Sequence, residues 1–153
     1  ALPFLILYKS LGLLDSRIGL ILLYTLMVLP IVIWIMRDQF QGIPIELEEA
    51  ALVDGLGIWG AFTQIVLPIA LPGMVAAFIL SLVLCWNEYF FAALLTSSNA
   101  STLPVMVASQ TGSQGINWWS MAALSSAAIL PLVIVAIFLE KYIIKGMAAG
   151  AVK

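Results

Sequence analysis

The chain is a succession of long uncharged apolar runs separated by shorter polar interruptions. An α-helix needs about 20 apolar residues to cross a hydrocarbon core of about 30 Å. Three runs meet that length. Residues 18–36 (IGLILLYTLMVLPIVIWIM) carry no charge and are bracketed by Arg17 and Arg37. Residues 73–95 carry one acid, Glu88, near their far end, and residues 118–139 are uncharged and stop at Glu140-Lys141. A fourth run, 1–8 (ALPFLILY), has neither an initiator Met nor the basic n-region of a signal peptide. It reads as the outer end of a spanning helix cut by a fragment boundary, so the chain is expected to be the C-terminal part of something longer. The expected fold class is all-α, a polytopic transmembrane helix bundle.

Pro30 and Pro131 fall inside predicted spans. Membrane helices tolerate such residues because neighbours re-satisfy the freed carbonyl. The small-residue run AALSSAA at 122–128 would let another helix approach closely and is expected to be a packing face.

Composition agrees with this pattern and removes several chemistries. Hydrophobic residues make up 63% of the chain and charged ones 9%, with mean hydropathy +1.15; a soluble domain is about half apolar and about a quarter charged. The formal net charge of −2, with no basic run, gives no electrostatic affinity for nucleic acid. There is no histidine, and the one cysteine, Cys85, lies in an apolar run and is expected to be a small buried residue. Cys/His metal sites, Ser-His and Cys-His nucleophilic dyads and internal disulfides are therefore excluded. No phosphate-cradling glycine loop or cofactor fingerprint is present, so an enzyme is not expected and no cofactor is assigned to this chain.

The connections are 9–17, 37–72 and 96–117, followed by a tail from Glu140. Two spans separate the 37–72 loop from the tail, which puts both on one side. That side holds Arg37, Lys141, Lys145 and Lys153 against Lys9 and Arg17 on the other, and the excess of basic residues marks it as cytoplasmic. The opposite loop, 96–117 (TSSNASTLPVMVASQTGSQGIN), has no charge at all.

The 37–72 loop breaks the oily pattern with a cluster of acids, Glu46, Glu48, Glu49 and Asp54. Pro44 suits the first turn of a helix, and the acids that follow lie where the positive end of the helix dipole favours them. Glu46, Ala50 and Asp54 are spaced i, i+4, i+8 with Glu49 beside them, so acids and alanines share a face. Gly55 is the expected left-handed stop. A second short helix is expected over 58–66, with Ile58, Phe62, Ile65 and Val66 on one side and Leu67-Pro68 ending it. The insert is thus predicted to be a cytoplasmic helix-turn-helix. The residues alone leave two readings open: a plain interfacial connector, or a docking element for a basic protein partner, since an acid-rich helix is not attracted to an anionic cytoplasmic surface.

The same residues carry a resemblance. Glu49-Ala50-Ala51, three residues, Gly55, nine residues, Ile65, one residue, Leu67-Pro68 resembles the EAA loop of the permeases of ATP-binding-cassette importers, with every position of that pattern met. Trp86-Asn87-Glu88-Tyr89-Phe90, Asn117-Trp118 and the tail from Glu140 to Lys153 resemble the carbohydrate branch of that family, the maltose-type second permease. The likeness covers nearly the whole chain as the C-terminal portion of a six-span subunit.

The resemblance implies a transport subunit in a bacterial or archaeal cytoplasmic membrane. It implies that the EAA loop docks on a nucleotide-binding ATPase subunit dimer, which binds ATP and magnesium and whose closure rocks the permease between inward- and outward-facing states. Carried over by position, Glu49 would accept a charged hydrogen bond, Ala50 and Ala51 would permit close approach, and Gly55 would make the turn. Ile65, Leu67 and Pro68 complete the pattern, and Glu46 and Asp54 are supporting candidates on the Glu49 face. Further implied partners are a second permease subunit, an extracytoplasmic solute-binding protein facing the 96–117 loop, the lipid bilayer, and a sugar or sugar alcohol as solute. Amino-acid, peptide and ion importers share the EAA loop and stay open as alternatives, as does a secondary transporter.

Glu88 is the one acidic or basic side chain (Asp, Glu, Lys or Arg) inside a predicted span. Such a group is a functional candidate by default because its burial is costly unless paired. It is expected either to line the path with Trp86 and Asn87, hydrogen-bonding sugar hydroxyls, or to snorkel to the outer interface, with Trp86 and Tyr89 as belt residues. For Trp118 and Trp119, interfacial anchoring is the expectation.

Overall fold

The structure, a computed structural model, describes residues 2–112 and 115–150, with side chains described as far as residue 140. The side chains of Lys141 and Lys145, and Lys153 altogether, lie outside the described residues. Its elements are helical apart from one two-residue ladder. They are α1 (Leu2–Ser10), α2 (Arg17–Gln41), α3 (Ile45–Val53), α4 (Ile58–Ala61), a π-helical turn (Phe62–Val66), α5 (Leu67–Trp86), α6 (Phe90–Leu95), α7 (Leu103–Ala108), β1 (Thr111–Gly112), β2 (Gly115–Ile116) and α8 (Trp118–Gly150). The two strands pair antiparallel, Thr111 opposite Ile116 and Gly112 opposite Gly115. Among the described residues three helical stretches are long and apolar enough to cross a membrane: Arg17–Gln41, Ile58–Trp86 and Trp118–Glu140. Pro30 and Pro131 lie within α2 and α8 without ending them.

Two differences from the expected pattern matter for function. Leu67-Pro68 does not end a short helix at residue 66; the helix begun at Ile58 continues to Trp86. The turn before Pro68 widens to π geometry, in which the Leu67 N–H reaches the Phe62 carbonyl five residues back. Local π adjustment is a known way for an apolar helix to absorb a proline that cannot donate to the residue four back. The Thr63 hydroxyl also donates to the Trp59 carbonyl (2.8 Å), adding a side-chain bond to this distorted stretch. The second difference is that 73–95 is not one helix. Helix α5 stops at Trp86, residues 87–89 form an elbow, and α6 restarts at Phe90.

The chain divides into two compact units, residues 1–28 with 82–135 and residues 29–81 with 136–153. In the first, Tyr8, Leu23 and Leu95 are buried together, with Leu5, Leu13, Leu14, Tyr24, Phe91 and Leu94 against them, and Leu20, Ala92 and Ala100 form an adjoining cluster. Cys85, expected to be buried, is half-buried and outside both clusters. The Tyr8 hydroxyl donates to the Gly19 carbonyl (3.0 Å) and so ties α1 to the start of α2. In the second unit Ile43, Val66 and Ala70 are buried with Phe62 packed on them, and Phe40 lies 6.4 Å from Phe62 between ring centroids. Burying an aliphatic side chain of this size is worth about 1.5–3 kcal/mol where water is the alternative. Gly73 of α5 meets the Gln39 side chain of α2 closely enough that an added Cβ would overlap it.

Candidate functional site

Chemistry-bearing residues gather in one place in each unit. In the second unit it is the α3–α4 hairpin. Pro44, in extended conformation (φ −60°, ψ 130°), is the N-cap of α3, and Glu46 and Glu48 occupy its first turn, where the dipole favours acids. The helix closes on a Schellman turn. The Gly55 N–H donates to the Leu52 carbonyl (3.1 Å) and the Leu56 N–H to the Ala51 carbonyl (3.0 Å). Gly55 sits at φ +90°, a conformation that glycine adopts without strain.

Of the residues expected to serve docking, Glu46, Glu49, Ala50, Asp54 and Pro68 are exposed, and Ile65 and Leu67 are half-buried. Ala51 differs. It is 5% exposed, and α3 packs on α4 and the π turn. Its small side chain therefore serves close approach inside the hairpin rather than toward an outside partner. The residues expected to share one side of the second helix are not alike in burial: Val66 is buried, Phe62 and Ile65 are half-buried, and Ile58 is 79% exposed, while Ala61 is buried as well. The hairpin also presents an apolar tip, where Val53 (87% exposed), Ile58 and Trp59 (80% exposed) point outward; Val53 and Trp59 are not among the residues expected to matter. Their one signal in the sequence is that large apolar residues flank the glycine turn on both sides. A surface of carboxylates with no partner among the described residues, beside exposed apolar side chains, can accept charge-assisted hydrogen bonds from lysine or arginine while burying apolar area.

In the first unit the site is the α5–α6 elbow. Trp86 is half-buried and its indole Nε1 donates to the Ala128 carbonyl of α8 (3.2 Å). Asn87 is exposed; its Nδ2 donates to the Val83 carbonyl (2.9 Å), and its amide oxygen has no hydrogen-bond partner among the described residues. Both line a cleft of about 470 Å³ with Tyr89, Pro104, Met121 and Ser125. Glu88 is not among its walls. The carboxylate turns the other way: Oε1 accepts from the Phe91 N–H (2.7 Å) and Oε2 from the Ala92 N–H (3.1 Å) and the Tyr24 hydroxyl (2.9 Å). The structure therefore groups Trp86 with Asn87 and separates Glu88 from them.

A second carboxylate, passed over in the sequence, lies in the same unit. Asp15 has φ +51°. Its N–H donates to the Leu95 carbonyl at the end of α6 (2.8 Å). Its carboxylate accepts from the Ser97 N–H (2.8 Å), the Ser97 hydroxyl (2.7 Å) and the N–H groups of Asn99 (3.1 Å) and Ala100 (3.1 Å). The Ser97 N–H above all, with its hydroxyl and the other two amides, holds the Asp15 carboxyl far below the usual carboxylate range. An Asp beside an uncharged loop gives no sequence signal for this contact between residues more than 80 positions apart.

A described chain that is almost wholly helical, with three stretches able to cross a membrane, is a multi-pass membrane protein. Residues 1–149 match the binding-protein-dependent transport system inner membrane components, and the chain belongs to that family. It is similar to putative ABC transporter permease protein ORF1 of Streptomyces antibioticus, at 36% identity over 153 residues, covering 99% of this chain and 67% of that protein. It is also similar to the trehalose/maltose transport system permease protein MalG of Thermococcus litoralis, at 36% over 147 residues, covering 95% of this chain and 53% of the relative. The trehalose transport system permease protein SugB of Mycobacterium tuberculosis matches at 36% over 148 residues, covering 95% and 54%. The chain thus spans about half to two thirds of the length of these relatives.

Proposed function

We propose that this chain is part of the permease subunit of an ATP-binding-cassette importer for a sugar or sugar alcohol in a bacterial or archaeal cytoplasmic membrane. The α3–α4 hairpin is its coupling element, docking on a dimer of nucleotide-binding subunits where ATP and magnesium are bound and hydrolysed. A second permease subunit completes the path, and an extracytoplasmic binding protein delivers the solute to the side of the 96–117 loop. The observation that carries the reading is the match of the Glu49–Gly55–Leu67-Pro68 pattern to a hairpin whose acids face outward around a Schellman turn. The solute class rests on Trp86 and Asn87 beside an open cleft, chemistry suited to stacking on and hydrogen-bonding a sugar ring, and on two relatives named for trehalose or maltose transport.

In this reading Glu49 takes a lysine or arginine of the ATPase, a contact worth about 1.5–3 kcal/mol when well formed. That energy orients the helix; ATP hydrolysis drives the transport. The test is Glu49→Lys in the assembled transporter. Membrane insertion is expected to be normal, while ATP-dependent uptake of labelled disaccharide falls by at least tenfold and less ATPase co-purifies. Normal uptake by that variant would overturn the coupling assignment. Uptake of amino acids, peptides or ions but of no sugar or polyol in a panel would overturn the solute class alone.

A further inference from the structure

We propose that Glu88 and Tyr24 are a positioning pair: the carboxylate pins the α5–α6 elbow to α2 and so aims Trp86, Asn87 and Tyr89 at the solute, which Glu88 itself does not touch. The inference rests on the reading of this cleft as part of the sugar path.

The elbow creates a problem that Glu88 resolves. Where α5 stops and α6 restarts, the first N–H groups of α6 have no carbonyl one turn back. Unsatisfied amides are costly where no water competes to bond them. Glu88 lies just before α6 and takes two of them, from Phe91 and Ala92, one on each carboxylate oxygen. The same arrangement supplies the partners that a carboxylate at this depth requires. The third donor, the Tyr24 hydroxyl, comes from α2, 64 positions earlier in the chain, so the bond set joins the elbow to another helix as well as capping α6.

The pin has a rigid seat. Ala92 is fully buried and Leu95 is 3% exposed, in clusters with Leu20 and Leu23 of α2. Tyr24 packs against both clusters. On the other side of the elbow, the Trp86 indole is held by the Ala128 carbonyl. The three residues that line the cleft are thus clamped between α2 and α8, and Glu88 borders a separate, smaller hollow with Tyr24, Met27, Val28, Leu84 and Cys85. A residue facing away from the cleft with its oxygens engaged in three bonds acts on the solute through its neighbours.

The experiment uses the complete reconstituted transporter with Tyr24→Phe, Glu88→Gln and the double variant. Labelled trehalose and maltose are the probes, together with their single-deoxy analogues. A fluorotryptophan NMR signal assigned to position 86 by its loss in Trp86→Phe provides a readout independent of solute. Each single variant is expected to lower disaccharide uptake about tenfold, the scale of one lost charge-assisted hydrogen bond. The double variant should be no worse than Glu88→Gln, because both remove the same pin. The ranking of deoxy analogues should stay as in the wild type, and the Trp86 signal should shift in both single variants. Multiplying defects with an unmoved Trp86 signal would overturn the pair. A Glu88→Gln variant that no longer distinguishes one deoxy analogue would overturn it by making Glu88 a contact. If the wild type carries no sugar, the solute reading fails, while the Trp86 shift still decides for or against the pin.

Discussion

The acids of the α3–α4 hairpin and the two acids of the other unit look alike on paper and behave oppositely. Glu46, Glu49 and Asp54 crowd one short helix, stand exposed, and take no hydrogen-bond partner among the described residues. Asp15 and Glu88 are solitary in their stretches, yet each accepts at least three hydrogen bonds, most of them from backbone amides. A carboxylate saturated by its own chain fastens segments that are distant in sequence. One left unpaired at a surface is available to something else. The difference divides acids already engaged by their own chain from acids left open to a partner, without reference to any relative, and substitutions in either region can break it.

The largest effect is expected at the hairpin's turn, because there the backbone itself is the determinant. Gly55→Val forces a β-branched residue to φ +90°. Left-handed backbone costs an ordinary residue about 1–2 kcal/mol, and a β-branched one more. The Schellman bonds to Ala51 and Leu52 should open and the acid face lose its orientation. Uptake by the assembled transporter should fall to background with the chain still inserted, whereas Gly55→Asn, which tolerates this region better, should retain part of it. Equal activity in the two variants would show that turn geometry does not matter to docking.

Next comes Asp15, the fastener with the most donors. Asp15→Ala leaves Ser97, Asn99 and Ala100 without their shared acceptor, so limited proteolysis should newly cut within 96–102. The pH dependence has a definite sign. The folded-state pKa lies below the ordinary carboxylate value of about 3.9, so the stabilisation is present above that value and is lost only as pH falls through the lower, folded-state one. Resistance to cutting should therefore be level from about pH 8 to pH 5. A loss of protection near pH 6 would contradict the hydrogen-bond assignment.

Much of this was legible in the sequence, for physical reasons that also explain what was not. Uncharged length located α2 and α8, because spanning a bilayer leaves few other solutions. Gly55 was legible because few residues other than glycine suit a left-handed stop. The elbow at 87–89 was not: an apolar run reads the same whether its helix is continuous or broken, and only the contacts of Glu88 mark the break. Leu67-Pro68 misled in the other direction, since the rule that a proline ends a helix assumes an α turn before it and here that turn is π. Ala51 matched its motif position, yet its burial depends on α4, which spacing along α3 cannot reveal. Asp15 carried no local signal at all.

A smaller effect is expected at Tyr8. It is 6% exposed, and its hydroxyl is bonded to the Gly19 carbonyl. Tyr8→Phe keeps the packing and removes one neutral hydrogen bond, worth about 0.5–1.5 kcal/mol. The midpoint of thermal unfolding of the solubilised transporter should drop measurably, with uptake at growth temperature retained. A drop larger than that of Asp15→Ala would make Tyr8, not Asp15, the stronger fastener.

The smallest effect on stability is expected where the effect on transport is large. Glu49→Gln and Asp54→Asn change exposed side chains with no partner among the described residues, and surface substitutions of this kind usually stay within about 0.5 kcal/mol. Unfolding of the isolated permease should be unchanged by either, while in the assembled transporter Glu49→Gln weakens retention of the ATPase, more so at low salt, where charge attraction contributes most. Asp54, also on the acid face, should show the same pattern to a lesser degree. If either substitution destabilises the isolated permease as Asp15→Ala does, the hairpin acids are fasteners too, and the distinction between the two regions fails at its weakest point.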